Sequence, residues 1–502
     1  MIRETLIHSP FPRFTGKLLI AAACAGILPG FAPASHAADA LAPLKALQDK
    51  GADVSALVMR LDNGKVLAEL DPDTALVPAS TSKLYVTTAA LLQWGSEHRF
   101  RTRFLATGPI VAGTLHGDLV FAGAGDPSFT NETLAKLVRR LDASGLKRVS
   151  GDLIVNAGWF GPLHCMPEDR CDARESSHNS YDAGLSSAAV NFSNTAVAVT
   201  PAAEAGNAAQ ARQVPYALPS FTLHNSVETT RNGNTVISLS RSTQDQRARL
   251  SLRGRIPVGA NTRRYYVAVG DPDRYAGEQV RAFLDAAGIR IEGRVRTRYD
   301  WPPSGREIAA VKSQPLWIQL RRMLVWSNNF MADTLALDLL REHQKPPLSL
   351  VKAGALLTRI GRKLEKQSAL MKGNEPQLEL DSGSGLTPAS RASARDLAAL
   401  LDVLYHRPDL FPGFLATLTV PAHTPVGMLK ARGKPMWMKR LAVKSGSFHG
   451  GFKVFSLAGY LRFPDGSWGA FAALVNGTKK YQPPVPTAIA ATRKSITAIL
   501  KR

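Results

Sequence analysis

Three short groups of residues in this chain have types and spacings suited to acyl transfer. A serine hydroxyl is a weak nucleophile at neutral pH and needs a base to take its proton. A lysine three residues after a serine on a helix lies one turn away on the same face, within hydrogen-bond reach. Ser80-Thr81-Ser82-Lys83 has that spacing, but so do Ser144-Gly145-Leu146-Lys147 and Ser349-Leu350-Val351-Lys352. Context separates them. Ser144 falls where a helix ends at Gly145, so Lys147 reads as a solvated charge. Ser349 follows Pro346-Pro347 and can begin a helix, which makes it the serious competitor. Ser80 has Pro78-Ala79 before it and an apolar, Ala-rich helical pattern after it, as a buried central helix requires.

A lysine can accept a proton only when neutral, so its usual pKa of about 10.4 must be lowered by burial or a nearby cation. Lys444-Ser445-Gly446-Ser447 can supply that cation from the end of a strand, Leu441–Lys444. Lys444 and the Ser445 hydroxyl can also bind a carboxylate, and Gly446 lets a substrate backbone come close. The plainer reading is an exposed strand end. Ser327-Asn328-Asn329 interrupts a helical pattern over Gln314–His343. A hydroxyl there can relay a proton and an amide can hold a carbonyl, although Ser and Asn also serve simply as helix caps. His178, His343, His406, His423 and His449 form no ligand set, so neither a metal nor a cofactor is expected.

The elements that must position these groups are readable in outline. Asp62-Asn63-Gly64 between two alternating runs predicts a β-hairpin. Short strands and turns fill about 99–302, with one clear helix at Asn131–Ala143. A separate β-rich unit lies at about 191–264. Helical patterns return at 314–343, 348–365 and 392–406. Strands at Leu441–Lys444, Gly451–Phe463 and Trp468–Val475 precede a last helix carrying Ile489, Ile496, Ile499 and Leu500. Helix and sheet at both ends of a β-rich middle indicate one catalytic domain interrupted by an insertion.

Composition and the N-terminus set the compartment. The 502 residues hold 62 Lys and Arg against 40 Asp and Glu, a net charge of +22, and 45% are hydrophobic. That excludes a mainly disordered or collagen-like chain and points to an anionic partner. Arg3, Arg13 and Lys17 precede an apolar run, Leu18–Leu28, followed by Ala34-Ser35-His36-Ala37, the layout of a secretory signal peptide cut after Ala37. Eleven apolar residues are too few for a bilayer that needs about 20. Cleavage leaves a chain of charge +20 in an oxidising compartment, the periplasm, where Cys165 and Cys171 are a candidate disulfide. Export and the lack of a binding motif argue against nucleic acid. The C-terminal helix, with Arg493, Lys494, Lys501 and Arg502, either docks on the catalytic sheet or makes peripheral contact with an anionic membrane surface.

The order Ser-x-x-Lys, Ser-x-Asn, Lys-Ser-Gly is close to the signature of penicillin-recognising serine enzymes. Together with Ala124-Gly125-Asp126-Pro127, Val149-Ser150-Gly151-Asp152-Leu153, Tyr181-Asp182-Ala183 and Asp381-Ser382-Gly383-Ser384-Gly385-Leu386, it resembles the D-alanyl-D-alanine carboxypeptidase/endopeptidase family, the class C low-molecular-mass penicillin-binding proteins. The resemblance runs over almost all of residues 45–500. It implies an α+β fold, a penicillin-binding transpeptidase-like (β-lactamase-like) catalytic domain with two β-rich inserted domains. The expected borders are a signal peptide at 1–37, a discontinuous catalytic domain at 38–98 and 303–502, inserted domain II at 99–190 and 265–302, and inserted domain III at 191–264.

The resemblance also implies the roles. Ser80 attacks the carbonyl of a D-Ala-D-Ala terminus or a D-amino-acid cross-link of peptidoglycan, and Lys83 accepts its proton. Ser327 relays that proton to the leaving amine, and Asn329 positions the substrate amide. Lys444 and Ser445 hold the terminal carboxylate beside Gly446, and the N–H groups of Ser80 and Ser447 form the oxyanion hole. β-Lactams are expected as covalent inhibitors. The alternatives are a β-lactamase, which lacks so long an insertion, and a non-catalytic wall-binding scaffold on the same fold.

Overall fold

The computed structural model describes residues 39–165, 171, 179–244, 247–424, 436–448 and 451–501. The expected signal peptide, His178 and His449 lie outside the described residues. The chain starts with a short helix α1 (Ala42–Gln48) and the hairpin β1 (Asp53–Arg60) and β2 (Val66–Leu70), which pair antiparallel around the Asp62-Asn63-Gly64 turn. A turn of 3-10 helix at Ala79–Ser82 leads into α2 (Lys83–Trp94).

The chain then leaves for a long excursion. Strands β3 (Arg101–Ala106), β4 (Leu119–Ala122) and β5 (Leu153–Asn156) come with helix α3 (Asn131–Asp142). Next are β6 (Asn194–Thr200), β7 (Gln210–Val214), β8 (Phe221–Thr230), β9 (Val236–Gln244), β10 (Arg247–Pro257) and β11 (Arg263–Ala268). Helix α4 (Pro272–Ala286), β12 (Val295–Arg298) and β13 (Arg306–Lys312) close it. These strands form a five-stranded sheet in the order β12-β5-β4-β3-β13 and two three-stranded sheets, β7-β6-β11 and β8-β10-β9.

Pairing crosses two of the expected borders. β13 pairs antiparallel with β3, so 306–312, expected in the catalytic domain, completes the excursion's sheet. β11 pairs with β6, so the sheet of the 191–264 unit continues to Ala268. Helix α4 replaces short strands expected in this region. Its Gly277 disguises the pattern, and the reason for that glycine is packing, because a Cβ there would sit 2.3 Å from Val295 Cγ1.

The return path is helical: α5 (Leu316–Trp326), α6 (Asn329–Arg341), α7 (Leu350–Glu365), α8 (Ala394–Tyr405) and α9 (Phe411–Thr417). Strands β14 (Leu441–Phe448), β15 (Val454–Arg462) and β16 (Trp468–Asn476) and helix α10 (Val485–Ile499) end the chain. The first and last strands join in one sheet, β14-β15-β16-β1-β2. Strand side chains alternate between faces, and both faces here are apolar. Leu57, Met59, Ala470, Ala472 and Leu474 pack under α2, α5, α6, α7 and α8, while Ala56, Val58, Phe471, Ala473 and Val475 pack under α1 and α10. Helix α10 buries Ile489, Ile496 and Ile499 in that second core. Its apolar stripe is therefore spent on the sheet, and membrane contact through this helix finds no support.

Candidate active site

The turn below Ser80 is held from two sides. The Pro78 carbonyl accepts from Thr81 Oγ1 at 2.7 Å and from Ser456 Oγ on β15 at 2.6 Å. Ala79 has φ +46°, a left-handed conformation that costs a non-glycine residue about 1–2 kcal/mol and persists where the surroundings enforce it. Ser80 ends up at the mouth of α2, half-buried, with Lys83 one turn inward and fully buried.

Lys83 Nζ lies 2.9 Å from Ser80 Oγ, 2.8 Å from Asn329 Oδ1 and 2.6 Å from the Ser384 carbonyl. Two of these partners can only accept. An amine that directs N–H groups at Asn329 and Ser384 can, when neutral, turn its lone pair toward the Ser80 hydroxyl. That is the orientation a base needs. The Asn329 amide cannot turn over without loss, because its Nδ2 donates to the Tyr181 carbonyl at 3.2 Å.

Ser327 and Asn329 owe their positions to a break between helices. Ser327 caps α5 with φ +53°, and Asn328 caps α6 by accepting from Met331 N at 2.9 Å. The left-handed residue points its side chain into the cleft, where Ser327 Oγ accepts from Lys444 Nζ at 3.0 Å. Lys444 is buried, and burial pushes its ammonium down to about 7.

The fourth wall is the edge strand β14. Lys444 and Gly446 share one face, and a Cβ on Gly446 would lie 2.6 Å from Ser80 N, so only glycine lets strand and turn meet. Val443 exchanges both backbone hydrogen bonds with Thr419 on the side away from β15. The two-residue period puts the N–H groups of Ser445 and Ser447 on that same outer edge. The cleft thus holds a serine with a base aimed at it, a second serine against a second lysine, and backbone donors at a sheet edge.

Comparison with known proteins agrees with that chemistry. A match to the D-Ala-D-Ala carboxypeptidase 3 (S13) family runs over residues 38–497. The chain belongs to this family. It is 25% identical over 445 residues to the D-alanyl-D-alanine carboxypeptidase DacB of Haemophilus influenzae, covering 85% of this chain and 86% of that one. It is 27% identical over 462 residues to a D-alanyl-D-alanine carboxypeptidase of Actinomadura sp., covering 88% and 80%. The crystal structure of penicillin binding protein 4 from Haemophilus influenzae superposes with a TM-score of 0.72 at 22% identity, over 91% of this chain and 99% of that one. The transpeptidase-like fold with extra inserted parts is therefore shared.

In this S13 family member the other two Ser-x-x-Lys pairs have different surroundings. Ser144 Oγ bonds the Leu141 carbonyl at 2.6 Å, and exposed Lys147 pairs with Asp142. Ser349 stands at the N-cap position of α7 without a side-chain capping bond, and Lys352 is exposed. Cys165 and Cys171 are joined in a disulfide with Cα atoms 5.4 Å apart.

Two backbone contributors carried no role in the sequence reading, the carbonyls of Tyr181 and Ser384. The second has a visible support. Asp333, one turn along α6 from Asn329, accepts from Ser384 N at 2.7 Å and so fixes the peptide whose carbonyl holds Lys83. Gly385, at φ +69°, passes so close to the Ala79 carbonyl that a Cβ would meet it at 2.0 Å. The Ser-Gly-Ser-Gly run was the available signal, since small residues crowd where backbones touch.

Proposed function

We propose that the protein is a periplasmic serine D,D-carboxypeptidase with D,D-endopeptidase activity on peptidoglycan. Ser80 Oγ attacks the penultimate D-Ala carbonyl as Lys83 takes its proton, and the oxyanion forms between the N–H groups of Ser80 and Ser447. The C–N bond then breaks, and the leaving amine receives the proton through Ser327, which Lys444 contacts. Water hydrolyses the acyl-enzyme and restores Ser80. Lys444 and Ser445 bind the terminal carboxylate, and Asn329 orients the substrate amide. Endopeptidase action replaces the terminal D-Ala by the side-chain amine of a cross-linked stem. The layout behind this reading is a catalytic part interrupted by two inserted parts, and the N-terminal signal pattern with the Cys165–Cys171 disulfide supports export.

The observation that carries the proposal is the set of contacts around Lys83, which aims the base at Ser80 with two acceptor-only partners. Labelling with fluorescent penicillin tests it. Wild type is expected to label and Ser80→Ala not to; retained labelling of Ser80→Ala, or its loss in Ser349→Ala alone, overturns the assignment. A β-lactamase is the second reading, and rapid turnover of a chromogenic cephalosporin would favour it. A scaffold without activity predicts no adduct by mass spectrometry after penicillin treatment.

A further inference from the structure

The three-stranded sheet β8-β10-β9 has two unlike faces. On its central strand, Leu250, Leu252 and Ile256 point inward and pack with Val197, Val199 and Val267. The opposite phase places Arg247, Arg249, Arg253 and Arg255 outward, all exposed, with Ser251 between the two pairs. At a rise of about 3.4 Å per residue, side chains on one face recur every ~7 Å, so the four guanidinium groups form one column about 27 Å long.

The neighbours keep this column open. On β9, the exposed Ser238, Ser240 and Ser242 stand opposite Arg253, Ser251 and Arg249. On β8, His224 and Ser226 stand opposite Ser251 and Arg253, and His224 Nδ1 lies 3.2 Å from Arg249 Nη2. The single acidic residue of the face among the described residues is Glu228, opposite Arg255. Among the described residues, the ion pairs involve none of the four arginines.

Neither usual reason for basic residues on a strand applies. Charges on edge strands block unwanted pairing, but β10 is central and paired on both sides. Solvated sheet faces alternate signs across strands to gain cross-strand attraction, whereas here like charges follow one another and repel. Guanidinium groups bind carboxylates through two parallel N–H groups, and serine hydroxyls beside them add further donors.

We propose that this face is a second binding site for the anionic substrate polymer, taking the free stem-peptide carboxylates of peptidoglycan at a distance from Ser80. The inference rests on the proposed function for the identity of the polymer. A basic column here holds the wall while the cleft samples stems along it, which raises the local substrate concentration.

The test uses the full chain with Arg249→Gln, Arg253→Gln and Arg255→Gln combined, and a control with Lys50→Gln, Lys65→Gln and Lys372→Gln, which removes the same charge from exposed positions elsewhere. Two readouts are taken: co-sedimentation with purified sacculi, and kcat/KM on a small soluble D-Ala-D-Ala peptide. The arginine variant is expected to bind sacculi at least tenfold more weakly and to keep small-peptide kcat/KM within twofold, with the control unchanged in both. Undiminished sacculus binding, an equal loss in the control, or equal wild-type binding to sacculi whose carboxylates have been converted to amides overturns the proposal. So does arginine-dependent binding to phosphatidylglycerol vesicles in place of sacculi. Failure of wild type on the small peptide would instead count against the proposed function, while the binding measurement still reads the column.

Discussion

The state of Lys444 makes a demanding prediction. Burial pushes its ammonium down to about 7, yet the substrate carboxylate it is proposed to bind needs it charged. With a pKa of about 7, the charged fraction is about 0.9 at pH 6 and about 0.09 at pH 8, a tenfold fall equivalent to about 1.4 kcal/mol of carboxylate binding. A single pH profile also carries every other pH-dependent step of the reaction. Comparing a peptide ending in D-Ala-D-Ala with its C-terminal amide separates them, because both substrates need Lys83 and only the acid needs the Lys444 charge. The ratio of their kcat/KM values, which reports the free enzyme, is expected to fall about tenfold from pH 6 to pH 8. Lys444→Arg, which stays charged throughout, is expected to flatten the ratio. A flat ratio in wild type from pH 6 to pH 9 would refute the reasoning, since the carboxylate would then not be read by a titrating Lys444.

Three further outcomes are expected. Gly385→Ala must accommodate a Cβ at the Ala79 carbonyl in a left-handed conformation costing about 1–2 kcal/mol; its unfolding midpoint should drop and penicillin acylation, followed by stopped flow, should slow at least tenfold. Asp333→Leu removes the acceptor of Ser384 N, leaves that buried donor unsatisfied, and is expected to slow acylation by about 10- to 100-fold, with unchanged acylation showing that the loop holds itself. Burial raises Asp126 to about 6, so the folded state keeps a proton that the unfolded chain loses near 3.8. Stability should therefore decline as pH rises from about 4 to 6, by up to about 3 kcal/mol, and thermal midpoints of Asp126→Asn across that window should lose this share of the slope. Asp338, also raised by burial and by Asp126, acts in the same direction.

The candidate side chains were legible because the proposed chemistry ties them to short spacings: Ser80 with Lys83 on one helical turn, Ser327 with Asn329 at a helix break, Lys444 with Gly446 on one strand face. An apolar helix buries Lys83, whereas a charged one exposes Lys352. The carbonyl of Tyr181 left no trace because any residue supplies one and only the fold decides where it points, and that of Ser384 showed only as the small-residue run Ser382-Gly383-Ser384-Gly385 around it. Helix α1 was hidden by its seven residues, too few for a period to show, and α4 by Gly277. The strand at Arg306–Lys312 reads equally well in either sheet, and its pairing with β3 depends on a partner some 200 residues earlier.

The Tyr181 carbonyl has a consequence for how the chain can be dissected. It reaches Asn329 from within the excursion that separates α2 from α5, so that excursion is not a detachable passenger on a self-sufficient catalyst. A shortened chain joining residue 98 to 316 keeps the sheet, both lysines and the nucleophile. Its Asn329 amide, released from Tyr181, is free to reverse and donate a hydrogen bond from Nδ2 to Lys83, occupying the lone pair that the proposed attack by Ser80 requires. The excised enzyme is expected to retain its scaffold and lose its timing: the nucleophile would still be present, with its base facing the wrong way.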